Sequence, residues 1–344
     1  MTNQSNNYQA WNDALADFPH NALITEQLSF LLRYAVLAPS TLNSQPWHFI
    51  VHEHTVLVQP DLSRWEEATD LSQRQMYISI GAAIENFIIA ASYFGLSVST
   101  SLSPFDNGLF SVLLVCEQSH GKMTALAPLC HAISSRSTHR GLYRSEEISP
   151  SLLRRICEIS YDTSIHIIRD RRQRLIVGDI MLESGMTAFS FSSLRRGISR
   201  YKRSNLTRDH IGIPGNTMGF SLIKSFVAPL AIRLFNVVRL NYKQQKDMLR
   251  SHTPYFVVLS AKTDTCIDWI NTGRTYQRIS LVSESLGIRS SVWASPIEMD
   301  NGRRRLADLL SVSKPQLCMR LGYGTAYPHR SPRFPADAVT DIII

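Results

Sequence analysis

The chain has 344 residues, 44% of them hydrophobic and 19% charged, with a formal net charge of +8. That apolar share fills a sizeable core and excludes a disordered or fibrous chain, and the length suits two domains. The basic excess fits either an anionic partner or a solubilising surplus, and the arginine clusters at 195–196, 200–203 and 303–305 come with no helix-turn-helix or zinc-finger spacing and no interleaved aromatics, so no nucleic-acid partner is expected.

The first 22 residues read as a loose polar tail, and no apolar leader opens them. Five scattered cysteines (Cys116, Cys130, Cys157, Cys266 and Cys318) fit reduced thiols, so a cytoplasmic location is expected. Residues 23–37 carry apolar side chains at helical spacing and stop at Pro39. After the turn-forming stretch PSTLNSQPW, residues 48–58 alternate as a hairpin does. A strong helix is predicted over 78–94, with Gly95 at its C-terminal cap. The piece SLSPFDNG reads as turn-rich, and 110–116 as a buried strand.

In the second half, helices are predicted over 152–159, 175–188, 271–286 and 304–310, and strands over 165–168, 256–261 and 315–321. The most apolar later stretch, 219–238, is broken by Lys224, Pro229 and Arg233. It is too interrupted for a membrane span, so it reads as a buried helix or a cover over a pocket, and no membrane partner is expected. One internal echo stands out. GAAIENFIIAASYFGLSVSTSLSPFDNG and GRTYQRISLVSESLGIRSSVWASPIEMDNG each run from a Gly-opened helix through a Gly exit to a Ser-rich strand, Ser-Pro and Asp-Asn-Gly. It reads as a diverged duplication.

No Walker loop, dinucleotide fingerprint, zincin motif or nucleophile elbow is present. No metal site is expected, and no side chain need act as acid or base. Two segments could carry ligand chemistry. In Pro39-Ser40-Thr41-Leu42-Asn43-Ser44-Gln45-Pro46-Trp47, two prolines stiffen a loop rich in hydroxyl and amide groups. It could meet the edge of a polar heteroaromatic ring, or it could be an ordinary turn with local caps. In Ser134-Ser135-Arg136-Ser137-Thr138-His139-Arg140, two guanidiniums flank hydroxyls. It could hold a phosphate, above all if it opens a helix, or be a solvated basic turn.

APSTLNSQPWHF resembles the flavin-facing motif of bacterial nitroreductases, SRSTHRGLY their opening phosphate motif, and RLGYGTAYPHRSPRFP their basic, proline-containing ending. The order differs from the family's usual one, because here the flavin-facing loop precedes the phosphate motif. The resemblance implies two fused nitroreductase-like halves, with one FMN at a pseudo-dimer interface and each half lacking the motif the other keeps. It points to the Acg-like branch, whose duplicated chain carries a lid. The implied fold is α+β, with mixed, mostly antiparallel sheets flanked by helices: a first half at 23–128, a second at 129–344, and a lid at about 200–243. Arg136, Ser137, Thr138 and Arg140 would hold the phosphate end, with Arg330 or Arg333 as a second cation. Pro39, Ser40, Thr41 and Asn43 would meet the ring or ribityl chain, Gln45 would brace the loop, and Pro104 would pass near the reactive ring nitrogen. The implied activity is transfer from NAD(P)H through FMN to a nitroaromatic, quinone or similar small acceptor, by a chain that can be a monomer. One alternative is a flavin store closed by Phe220 or Phe226; another is a protein that kept the fold, lost the flavin and acts through its basic surface.

Overall fold

A computed structural model describes residues 6–14, 17–119, 126–158, 160–325 and 329–343. In chain order these form α1 (Gln9–Asp13), α2 (Ile24–Ala35), β1 (Trp47–His52), β2 (Thr55–Pro60), α3 (Arg74–Tyr93), β3 (Leu96–Pro104), β4 (Phe110–Gln118), α4 (Cys130–Ser135), α5 (Pro150–Cys157), β5 (Ser164–Ile168), α6 (Arg171–Ala188) and α7 (Ser192–Arg200). There follow β6 (Lys202–Arg203), β7 (Ile213–Pro214), α8 (Leu222–Leu234), α9 (Val237–Leu240), α10 (Tyr242–Arg250), β8 (Tyr255–Ala261), α11 (Cys266–Ser285), β9 (Ile288–Val292), α12 (Ser295–Glu298), α13 (Asp300–Leu310), β10 (Lys314–Tyr323) and β11 (Thr340–Ile343). The fold is α+β. One sheet has the order β11-β1-β2-β4-β3 and a second β5-β8-β10-β9, and every pairing within them is antiparallel except β1 with β11.

Several expectations are corrected. Residues 6–14 are no loose tail: Ala10, Trp11 and Ala14 are buried, while residues 1–5 and 15–16 lie outside the described residues. The helix predicted from 78 begins at Arg74, because Asp70 receives the backbone N–H groups of Gln75 (3.0 Å) and Met76 (2.9 Å). The helix predicted from 271 begins at Cys266, where Thr265 and Asp268 form a capping box. The helix predicted over 152–159 is Pro150–Cys157, and Ile159 lies outside the described residues. SLSP is not turn but the end of β3, paired with β4. The last segment of the second half crosses over, so that β11 completes the first half's sheet.

The two long helices α3 and α11 pack against each other. Alanines and a glycine let α3 be buried on every side, which is why its sequence is so uniformly apolar. A Cβ on Gly81 would lie 2.2 Å from the Ile270 carbonyl oxygen, and one on Gly273 would lie 2.0 Å from that of Ile78. Only glycine permits this approach, and the two contacts are reciprocal. The alignment that equates Gly81 with Gly273 equates Glu85 with Gln277 and Asn86 with Arg278. Arg278 donates to Glu85, and Gln277 Nε2 donates to Asn86 Oδ1, so each bond is the counterpart of the other. Gly95 (φ 86°) and Gly287 (φ 72°) end the two helices in the left-handed region. The echo stops there: Asp106–Gly108 is a hairpin turn, whereas Asp300, Asn301 and Gly302 open α13.

Candidate functional site

One cavity lies where the PSTLN loop, the RST segment, the C-terminal tail and the 200–243 region converge. Its lining includes Pro39, Ser40, Thr41 and Asn43 from the first half and Arg136, Ser137, Thr138 and Arg140 from the second. Arg330 and Arg333 come from the tail, Ile213 and Thr217 from the 200–243 region. Ten of the twelve residues named from the sequence are thus brought together. Gln45 stands behind the loop, and Pro104 is elsewhere.

The loop is held in a strained form. Leu42, Asn43 and Gln45 have φ of 56°, 57° and 54°, and each left-handed non-glycine residue costs roughly 1 kcal/mol. Local bonds hold it: Gln45 N donates to Ser40 Oγ (2.9 Å), Thr41 N to Ser79 Oγ (3.2 Å) and Thr41 Oγ1 to Gln75 Oε1 (3.0 Å). Asn43 Nδ2 donates to the carbonyls of Gly212 and Pro332, both at 3.0 Å. Gln45 Nε2 donates to His210 O (2.8 Å), and Phe334 N donates to Gln45 Oε1 (3.0 Å). One loop is thereby tied to both the 200–243 region and the tail.

The RST segment corrects one expectation. It follows α4 instead of opening a helix, with Arg136 at the C-cap in extended backbone, so no helix N-terminus helps an anion here. His139 N bonds Ser290 O (2.9 Å), which lays the segment along β9. Side-chain charge does the work instead. Arg136 is buried, and neither its Nε nor that of Arg333 has a hydrogen-bond partner among the described residues. Burial lowers the pKa of Arg136. Burial, with Arg136 and Arg140 alongside, pushes Arg333 down to about 9. Buried guanidiniums gathered this closely, two of them with an Nε left over for a further acceptor, form a site for an anion. Arg140 Nη1 donates to Thr217 O (3.4 Å), and the rings of Trp11 lie under Arg330 and Arg333 at 4.8 and 5.3 Å.

The opposite walls are apolar: Ile78, Ile213, Val292, Ala294 and Leu317. The cavity therefore suits a flat, largely apolar ring system with a polar edge and an anionic arm. Pro104 is exposed at the end of β3, and the later segment that echoes it in sequence, with Val292 and Ala294, lines the cavity instead. Phe226 is 57% exposed and neither it nor Phe220 lines the cavity; Ile213 and Thr217 take that place. The stretch 219–238 is not a buried helix, since α8 shows most of its surface.

Two residues were missed. Trp11 was read as tail, although its Nε1 donates to Ser331 O (3.0 Å). Lys202 lies in a run noted only for its charge. Its ammonium is buried, and burial with Arg140 nearby pushes it down to about 7. Residues 326–328 of the RLGYGTAYPHRSPRFP segment lie outside the described residues.

No family model matches the chain. Over 89 residues, 26% of the chain, it is 33% identical to the acg protein of Mycobacterium tuberculosis, provisionally described as an NAD(P)H nitroreductase; the match spans 27% of that protein. It is 24% identical over 91% of its length to an uncharacterized protein of Mycobacterium tuberculosis, covering 93% of it. Among solved structures, the FMN-dependent nitroreductase NfnB of Mycobacterium smegmatis is 18% identical, covering 63% of this chain and 98% of that one, with a TM-score of 0.39. The NADPH:FMN oxidoreductase of Vibrio harveyi is 14% identical over 61% and 75%, with a TM-score of 0.37. Neither superposition is close enough to carry site chemistry.

Proposed function

We propose that this chain, nitroreductase-like in sequence, is an FMN-dependent oxidoreductase built from two diverged halves with one flavin between them. The observation that carries the reading is the meeting of the PSTLN loop and the RST arginines across one cavity, although about a hundred residues separate them in the chain. The buried guanidiniums of Arg136 and Arg333, each with an Nε that has no hydrogen-bond partner among the described residues, fit a phosphate, and the apolar walls fit a ring. The reciprocal glycine contacts of α3 and α11 support a duplication.

Arg136, Arg140 and Arg333, with Ser137 and Thr138, would hold the phosphate end. Ser40, Thr41 and Asn43 would meet the polar edge of the ring, and Gln45 would brace them from behind. FMN, when bound, supplies two-electron transfer from NAD(P)H to a small acceptor such as a nitroaromatic or quinone. The protein's part is position and electrostatics. The site is complete within one chain, so a monomer suffices.

A second reading, a flavin store with little turnover, is favoured by the closed lid. Gly212 N donates to Asn43 O (3.2 Å) and Asn43 Nδ2 donates back to Gly212 O. With Gln45 to His210 and Arg140 to Thr217, four bonds latch the lid region to the site. The deciding experiment is the absorbance spectrum of the purified protein before and after anaerobic NADPH. The enzyme reading expects about one flavin per chain that bleaches promptly. A flavin band that persists supports the store, and protein that neither carries nor takes up FMN overturns both.

A further inference from the structure

The helix α8 is turned inside out. Its large apolar side chains at Ile223, Phe226, Val227, Leu230 and Leu234 fall at helical spacing on one face, and each is between 56% and 78% exposed. The buried residues are Ser225 and Ile232. Ser225 packs so closely on the preceding turn that a Cβ on Gly215 would lie 2.5 Å from the Ser225 Cβ. Leu240, just beyond α8, is 71% exposed. Burying such a face is strongly favourable, and scattered surface apolar residues do not make a continuous stripe of this kind.

The charge around this face has one sign. Residues 184–246 contain eleven Lys or Arg and a single acid, Asp209, which is held by Arg203 at 2.6 Å. The rest of the chain is net negative, so the positive excess of the protein belongs to this segment. Lys224, Arg233, Arg239 and Lys243 are exposed beside the apolar stripe. Arg195 Nε, on α7, donates to Arg233 O (3.4 Å) and brings the basic α7 alongside.

An exposed apolar stripe rimmed by cations matches the interface of an anionic bilayer, where apolar side chains enter the acyl boundary and cations meet the headgroups. A second copy of the chain fits poorly, because joining two such faces would bring two cationic rims together. We propose that α8 docks this protein on the surface of an anionic membrane, lying in the interface plane without crossing it. Asn205 N and Ser225 Oγ share a 3.0 Å bond, and α8 follows directly on the turn bearing Thr217, a cavity-lining residue. The docked face is therefore the outer surface of the lid region.

The test is co-sedimentation of the full-length protein with vesicles of phosphatidylcholine alone and of phosphatidylcholine containing phosphatidylserine. Binding is expected only to the vesicles with phosphatidylserine, weakening as salt rises. The double variant Phe226→Ser, Leu230→Ser should lose it while keeping its helical circular dichroism. Removing Arg239 and Lys243 should weaken partitioning about fivefold for each cation. Absence of binding to the anionic vesicles overturns the proposal. So does binding that the double variant retains, which marks adsorption by charge alone, or a dimer in light scattering that the double variant abolishes, which assigns the face to a second copy.

Discussion

Arg333 donates a hydrogen bond to the side-chain carbonyl of Asn43, 290 residues earlier in the chain. Asn43 gives its amide protons to Gly212 and Pro332. The loop, the 200–243 region and the tail are joined at one side chain, and each partner is buried.

Asn43→Ala removes that junction. Leaving the partners unsatisfied should destabilise the fold by about 1–3 kcal/mol. FMN affinity should fall at least about tenfold, since the loop's left-handed backbone loses its support. A flavin titration monitored by fluorescence quenching measures this, and unchanged affinity would refute a site shared between the halves.

Arg136→Ala separates binding from folding. In the flavin-free protein Arg136 adds a buried charge to a cluster in which Arg333 is already depressed. Its loss should leave the urea midpoint unchanged or raised. Phosphate binding should weaken by about 1.5–3 kcal/mol, roughly ten- to a hundredfold. The ratio of flavin to protein absorbance after gel filtration gives the readout, and a fully loaded variant would remove Arg136 from the phosphate site.

Lys202 predicts a pH dependence. Its folded value, about 7, lies well below the ordinary lysine value of 10.5. Such a group contributes stability that is complete above the unfolded value and lost as pH falls through the folded one. Flavin-free protein should therefore become more stable as pH rises from about 6 to about 10, and Lys202→Met should flatten that slope. Inorganic phosphate should flatten it too, by supporting the charged form. Denaturation midpoints across this range that are parallel for wild type and variant would count against it.

Gly81→Ala and Gly273→Ala test the helix crossing. In an exposed helix this change stabilises by roughly 0.5–1 kcal/mol. Here the added methyl meets backbone oxygen, so a loss of about 3 kcal/mol is expected at either site. Equal losses follow from the reciprocal geometry. A neutral result at either glycine would mean that the helices stand further apart.

The sequence by itself determined the periodicities, and with them α2, the β1–β2 hairpin, the Gly-capped long helices and β8. Those follow from local spacing and caps, which need no knowledge of neighbours. It also carried the PSTLN and RST segments, because their residue types are unusual for turns. Other features were decided only by tertiary structure. Whether Asp-Asn-Gly turns a hairpin, as at Asp106, or starts a helix, as at Asp300, depends on what each segment packs against. Pro104 and the segment at Val292 and Ala294 look alike in sequence, and only the sheet's placement put the second at the cavity and the first in solvent. Trp11 joined the site, and Lys202 came under the influence of Arg140, through neighbours distant in the chain. The outward face of α8 was hidden for the same reason: apolar spacing says that a helix has one greasy side, but not which way that side is turned.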